Sequence, residues 1–124
     1  MAEDEPNFLG LFSRERNLKT LKAGDVLFKK GEPASSMFVV LYGEIGIGHN
    51  SGTETVSAGG IVGEMALIDQ GPRSATATAL SDASLAEIDE KRFLFLVREI
   101  PSFALNGMRL LSHRLRRSNS LTSA

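Results

Sequence analysis

The chain has 124 residues, no cysteine and a formal net charge of −1, with 42% hydrophobic and 23% charged residues. That length suits one domain with a buried core, and that balance suits a globular protein. The composition excludes disulfide scaffolds, thiolate-held iron–sulfur clusters and thiolate metal sites, and no apolar run approaches the ~18 residues of a membrane span.

The small net charge hides a split. Residues 1–90 carry 7 Lys/Arg against 14 Asp/Glu, whereas residues 91–124 carry 7 Lys/Arg against one acid, Glu99. The opening Met-Ala-Glu-Asp-Glu-Pro is acidic, unlike a secretory leader, so a reducing cytoplasm is the expected location.

The first six residues read as a frayed tail, and Phe8-Leu9-Gly10-Leu11-Phe12 reads as a short apolar turn docked on the body. From Leu18 to Asp89, short β-rich runs are cut by glycine turns at Gly24, Gly31, Gly43, Gly52, Gly59-Gly60 and Gly71. The runs are Val26–Lys29, Met37–Leu41, Glu44–Gly48, Glu54–Ser57, Ser74–Ala79 and Ser84–Asp89. Turn signals at that spacing predict an antiparallel sandwich or barrel. Alanines 75, 77 and 79 alternate with Thr76 and Thr78, which leaves one face open to the close approach of a strand or ligand.

The period then changes. Phe93, Leu96, Val97 and Ile100 recur at helical spacing, with Asp89 placed to cap the helix and Pro101 to end it. A second helix is expected over 102–118, with Leu105, Met108, Leu111 and Leu115 on one stripe. That stripe suits packing against the body, or a homodimer or partner contact. Arg109, His113, Arg114, Arg116 and Arg117 cluster on the same helix. No helix-turn-helix follows them, so they read as a solvated helix end and no nucleic-acid partner is expected. The organisation expected is a tail with a short helical segment over 1–17, one domain over 18–118 and a loose tail over 119–124.

The segment richest in chemistry runs from Val62 to Ala79. Gly63 allows close backbone approach to a ligand. The residues after it can form one helical turn with free N–H groups. Arg73 offers a planar, permanently charged fork for phosphate oxygens. Glu64 offers an acceptor for a sugar hydroxyl, and the small Ser74 and Ala75 let backbone N–H groups come near. This is the equipment for holding a phosphate beside a sugar.

In that order and spacing, Gly63, Glu64, Ala66, Leu67, Pro72, Arg73, Ala75 and Thr76 resemble the phosphate-binding cassette of the cyclic nucleotide-binding domain. The module is that of catabolite activator proteins and of the regulatory subunit of cyclic-AMP-dependent kinase. The resemblance extends from about Leu18 to about Arg117. It implies a mainly β fold, an antiparallel β-roll of the jelly-roll type with about eight strands and flanking C-terminal helices. It implies that Arg73 grips the cyclic phosphate, and that Glu64 takes the ribose 2′-hydroxyl and helps to hold Arg73. Gly63, Met65 and Ala66 would offer backbone N–H groups. Ser74 and Ala75 would complete the phosphate site, Ser74 by a hydroxyl compatible with cyclic AMP or cyclic GMP. Val56, Ile61, Val62 and Leu67 would wall the pocket. Ser118 or Asn119 would meet the base, or Arg114 or Leu115 would stack on it or cap it.

The expected function is therefore binding of a 3′,5′-cyclic purine nucleotide, cyclic AMP ahead of cyclic GMP. Occupancy would be relayed by movement of the C-terminal helices to an effector protein. The alternative is a protein-interaction scaffold of the same fold that binds no nucleotide. His49 and His113 lie in different elements without a ligand set, and the serines lack a nucleophile elbow, so neither a metal, a cofactor nor an enzyme is expected.

Overall fold

The computed structural model describes residues 6–12, 14–49 and 52–122, without the side chains of His49 and of 117–122. Residues 1–5, 13, 123 and 124 of the two expected tails, and the side chains of Ser118 and Asn119, therefore lie outside the described residues, while the backbone of 119–122, expected as loose tail, continues the last helix. The strands are β1 (Leu18–Leu21), β2 (Val26–Phe28), β3 (Ser36–Tyr42), β4 (Ile45–His49), β5 (Gly52–Val56), β6 (Ile61–Val62), β7 (Thr76–Ala79) and β8 (Ala83–Asp89). The helices are α1 (Met65–Ile68), α2 (Glu90–Glu99) and α3 (Pro101–Thr122), and a 3₁₀ turn covers Leu9–Phe12.

Two four-stranded sheets face each other, in the orders β1-β8-β3-β6 and β2-β7-β4-β5. Every pairing is antiparallel, for example Val39 with Ala86 and Gly46 with Thr78. The fold is thus the eight-stranded β-roll with helices after it. The central strand β3 reads as a continuous apolar run because both of its faces are covered. Phe38 and Val40 point between the sheets to Ile45, Val62, Ala77 and Leu85. Met37 and Val39 point the other way, to Ile61, Ile88, Leu96, Phe103 and Leu110.

Asp89 closes β8 and caps α2, its carboxylate accepting from the Arg92 N–H at 2.8 Å. Pro101 opens α3 as well as stopping α2, since proline is tolerated in a first helical turn. The inward face of α3 is set by Phe103 and Leu110, not by the expected stripe. Leu105, Met108 and Leu115 are exposed, and Leu111 is half-buried. A half-turn difference in phase separates the two faces. Phe103 decides between them, because its ring meets those of Phe8 and Phe93 edge-on, each 5.8 Å away.

A fork of Arg92 onto Glu15, at 2.5 and 3.1 Å, ties the segment before β1 to α2. The Arg92 hydrogen bond holds the Glu15 carboxyl below its ordinary value of 4.5, and burial offsets only part of that. A depressed folded value stabilises the protein fully above that ordinary value, and the gain fades as pH falls through the folded one. Because Arg92 is 39% exposed, the pair contributes only about 0.5–1 kcal/mol. Urea melts should show Glu15→Gln less stable than the parent at pH 7 and close to it near pH 3. A constant gap across that range would refute the coupling.

Candidate functional site

The site is built where β6 runs into α1 and where the chain returns through Arg73 to β7. Gly63 turns the backbone at φ +79°, a region that side chains disfavour. A Cβ there would stand 2.6 Å from Arg73 Nη1, so the missing side chain is what lets the guanidinium close on the backbone. Gln70, at φ +58°, reverses the chain after α1, and Asp69 Oδ1 accepts the Gly71 N–H at 2.8 Å.

Arg73 is pinned by its backbone. Its N–H donates to the Glu32 carbonyl at 2.9 Å, and its carbonyl accepts from Gly31 at 2.8 Å. Its guanidinium carbon lies 4.1 Å from the centroid of the Phe28 ring and 5.8 Å from that of Phe38. Only 7% of the residue is exposed. Burial pulls its pKa below the ordinary arginine value, while Glu87 and Glu32 push it back up. Among the described residues, the guanidinium spends one hydrogen bond, Nη1 to the Gly63 carbonyl at 3.3 Å. Most of its five donors are left for an anion.

Glu64 is equally buried, at 8% exposure. Its partner is Arg114, not Arg73 as expected. Arg114 Nη1 donates to Glu64 Oε1, and Nη2 donates to the Ile61 carbonyl at 3.0 Å. Arg114 comes from α3, fifty residues further along the chain, so no local pattern announces the pairing.

A cavity of about 580 Å³ joins these groups. Val62, Gly63, Glu64, Met65, Ala66, Arg73, Ser74 and Ala75 all line it, as do Val56 and Ile61. Leu67 does not. The helical turn carries it to the opposite side, where it is buried with Ile61 and Leu96 in the core under the helices. The Ala66 N–H is taken by the Gly63 carbonyl at 3.3 Å. Phe28, Ile47 and Glu54 also line the cavity and were not singled out in sequence. Their strand positions are ordinary, and only the pairing of β2 with β7 and of β4 with β5 brings them in.

A wider depression of about 900 Å³ lies elsewhere, beside β1 and the start of α2. There Ser36 is bonded to Glu87, and Arg92 is tied to Glu15. Among the described residues no group of three or more His, Cys, Asp or Glu could hold a metal, and no helix is long and apolar enough to cross a membrane.

Residues 18–99 match the model of the cyclic nucleotide-binding domain. The chain is 32% identical over 127 residues to the cyclic AMP receptor protein of Thermus thermophilus, covering 92% of this chain and 59% of the relative. It is 24% identical over 122 residues to a CRP-like cAMP-activated global transcriptional regulator of Mycobacterium tuberculosis, covering 94% and 54%. The chain thus spans little more than half the length of these relatives. The crystal structure of the Thermus thermophilus catabolite activator protein superposes with a TM-score of 0.77 at 29% identity, over 86% of this chain and 53% of that one. A structure from a cyclic-GMP-dependent signalling pathway that regulates bacterial phytopathogenesis superposes with a TM-score of 0.66 at 30% identity, over 99% and 94%. With the family model matched over residues 18–99, the chain belongs to the cyclic nucleotide-binding domain family.

Proposed function

We propose that the domain binds a 3′,5′-cyclic purine nucleotide, cyclic AMP ahead of cyclic GMP, and passes occupancy through α2 and α3 to an effector protein. The observation that carries this reading is Arg73, a buried cation on the wall of a 580 Å³ cavity with most of its donors unspent. A buried charge calls for a matched anion, and a cyclic phosphodiester keeps its single charge near neutral pH. Glu64 sits on the same wall, where a ribose hydroxyl would reach it. The preference for cyclic AMP leans on the relatives named as cyclic AMP receptors.

The exposed apolar residues Leu105 and Met108 give α3 a face for an effector or a second copy, while Leu115 lines the cavity. Nucleic acid is not part of the proposed role, since Arg114 of the basic cluster turns inward to Glu64. The site reads as regulatory rather than catalytic, in a cytoplasmic protein.

Calorimetric titration with cyclic AMP and cyclic GMP, after co-purified nucleotide is removed, tests the reading. Saturable binding with tighter affinity for cyclic AMP is expected, and the 2′-deoxy analogue should bind worse because it leaves Glu64 without its donor. Absence of binding by nucleotide-free protein would turn the reading to a scaffold.

A further inference from the structure

We propose that Phe28 is a positioning residue whose ring holds the Arg73 guanidinium ready for an anion without occupying the donors that the anion needs. The inference rests on the receptor reading above. A buried charge calls for compensation. Glu64, the other buried charge of the site, has it from an ion pair with Arg114. Among the described residues Arg73 has no ion pair. Glu32 and Glu87 attract it from beyond ion-pair distance. Their carboxylates are bonded elsewhere, Glu32 to the Lys29 N–H and Glu87 to the Ser36 hydroxyl. What the guanidinium does have is the face of Phe28, with its carbon 4.1 Å from the ring centroid.

The choice of a ring over a carboxylate matters for binding. A carboxylate would take up to two of the five guanidinium donors, and a phosphate would have to break that pair on arrival. A ring face attracts the cation through its quadrupole and takes no donor. The ring is itself well fixed. Phe28 is buried, lies opposite Ala77 across β2 and β7, and stacks on Phe38 with centroids 6.3 Å apart and planes 26° from parallel. Phe38 brings a second ring to 5.8 Å from the guanidinium carbon. Gly63 makes room for ring and cation together, since a Cβ there would stand 3.3 Å from the Phe28 ring and 2.6 Å from Arg73 Nη1. Arg73 thus stays on the cavity wall, charged and oriented before any ligand arrives.

The test is a double-mutant cycle between Phe28→Leu and Arg73→Lys, read by calorimetry with cyclic AMP. Leucine keeps an apolar side chain and removes the ring face. In the parent background it should weaken binding about tenfold, the scale of a desolvated cation–ring contact. In the Arg73→Lys background it should weaken binding less than about twofold, because a lysine does not stack on the ring as arginine does. A second series needs no loss of packing. Phenylalanines with progressively more ring fluorines at position 28 nearly keep the shape and drain negative charge from the face, so Kd should rise with each fluorine added. Equal losses from Phe28→Leu in both backgrounds, or an affinity indifferent to fluorination, would overturn the proposal, make Phe28 a plain pocket wall and leave the receptor reading standing. A wild-type protein that binds no cyclic nucleotide would take both down.

Discussion

Replacing Arg73 with alanine is expected to weaken cyclic nucleotide binding severely and leave the roll folded. The phosphate charge would then enter a cavity with its matched cation gone. Truncating one partner of a buried, hydrogen-bonded charge pair costs about 2–5 kcal/mol, roughly 30-fold to several-thousand-fold in Kd. Arg114 cannot take over, because Glu64 and Ile61 hold it. Folding should change little. The variant loses the ring contact with Phe28 but also loses the cost of burying a charge. Arg73→Lys should fall between the two, since a lysine carries the charge without the fork and stacks poorly on Phe28. Titration of the three proteins, with melting curves as the control for folding, decides the matter. Near-parental affinity in Arg73→Ala would remove Arg73 from the site.

The largest effect on stability is expected from Gly43→Ala, far from the ligand. Gly43 turns β3 into β4 at φ +85°. An added Cβ would lie 2.2 Å from the Asp82 carbonyl oxygen and 2.9 Å from two Ala83 atoms. The first of these belongs to the backbone, so no rotamer change relieves it. The turn abuts the β7–β8 connection, and Glu44 and Leu80 are bonded across the same place. Strain at a left-handed position costs about 1–3 kcal/mol, and the backbone clash adds to it. A fall in melting temperature of about 10 °C or more follows for a chain of this size. Gly24→Ala makes a useful contrast, having a similar φ of +93° but no atom within 4 Å of the new Cβ. It should lose much less, and equal losses at the two positions would show that strain alone governs.

What could be read from the sequence was what obeys local rules. Asp89 caps because the helical period begins just after it, and the six strand runs fall on β2, β3, β4, β5, β7 and β8. Glu64 and Arg73 were legible because cassette chemistry is written into one continuous stretch. The strands β1 and β6 were not read from periodicity. The first is largely exposed and mixed in composition, and the second has two residues. Leu67 was misplaced onto the cavity wall because four residues of helix fix a direction that spacing alone does not reveal. Phe28 under Arg73 and Arg114 against Glu64 come from residues 45 and 50 positions away, where tertiary packing decides and sequence is silent. The phase of α3 was lost for a similar reason. Two apolar faces compete along it, and the aromatic contacts of Phe103 choose.

Asp89 is at once the last residue of β8, an interior strand of its sheet, and the cap of α2, and Ile100 alone separates α2 from α3. Mechanically, α2 is an arm rooted directly in the sheet, with no slack at its base. A push on its tip cannot be absorbed by a linker, so rotation concentrates at Ile100, the one joint outside either helix. Ile100 is tied to each helix by one hydrogen bond, its N–H donating to the Leu96 carbonyl and its carbonyl accepting from the Phe103 N–H, and the Phe93–Phe103 ring contact bridges the two helices directly. If the helices move as proposed, the motion would be a change of angle about Ile100 rather than of distance.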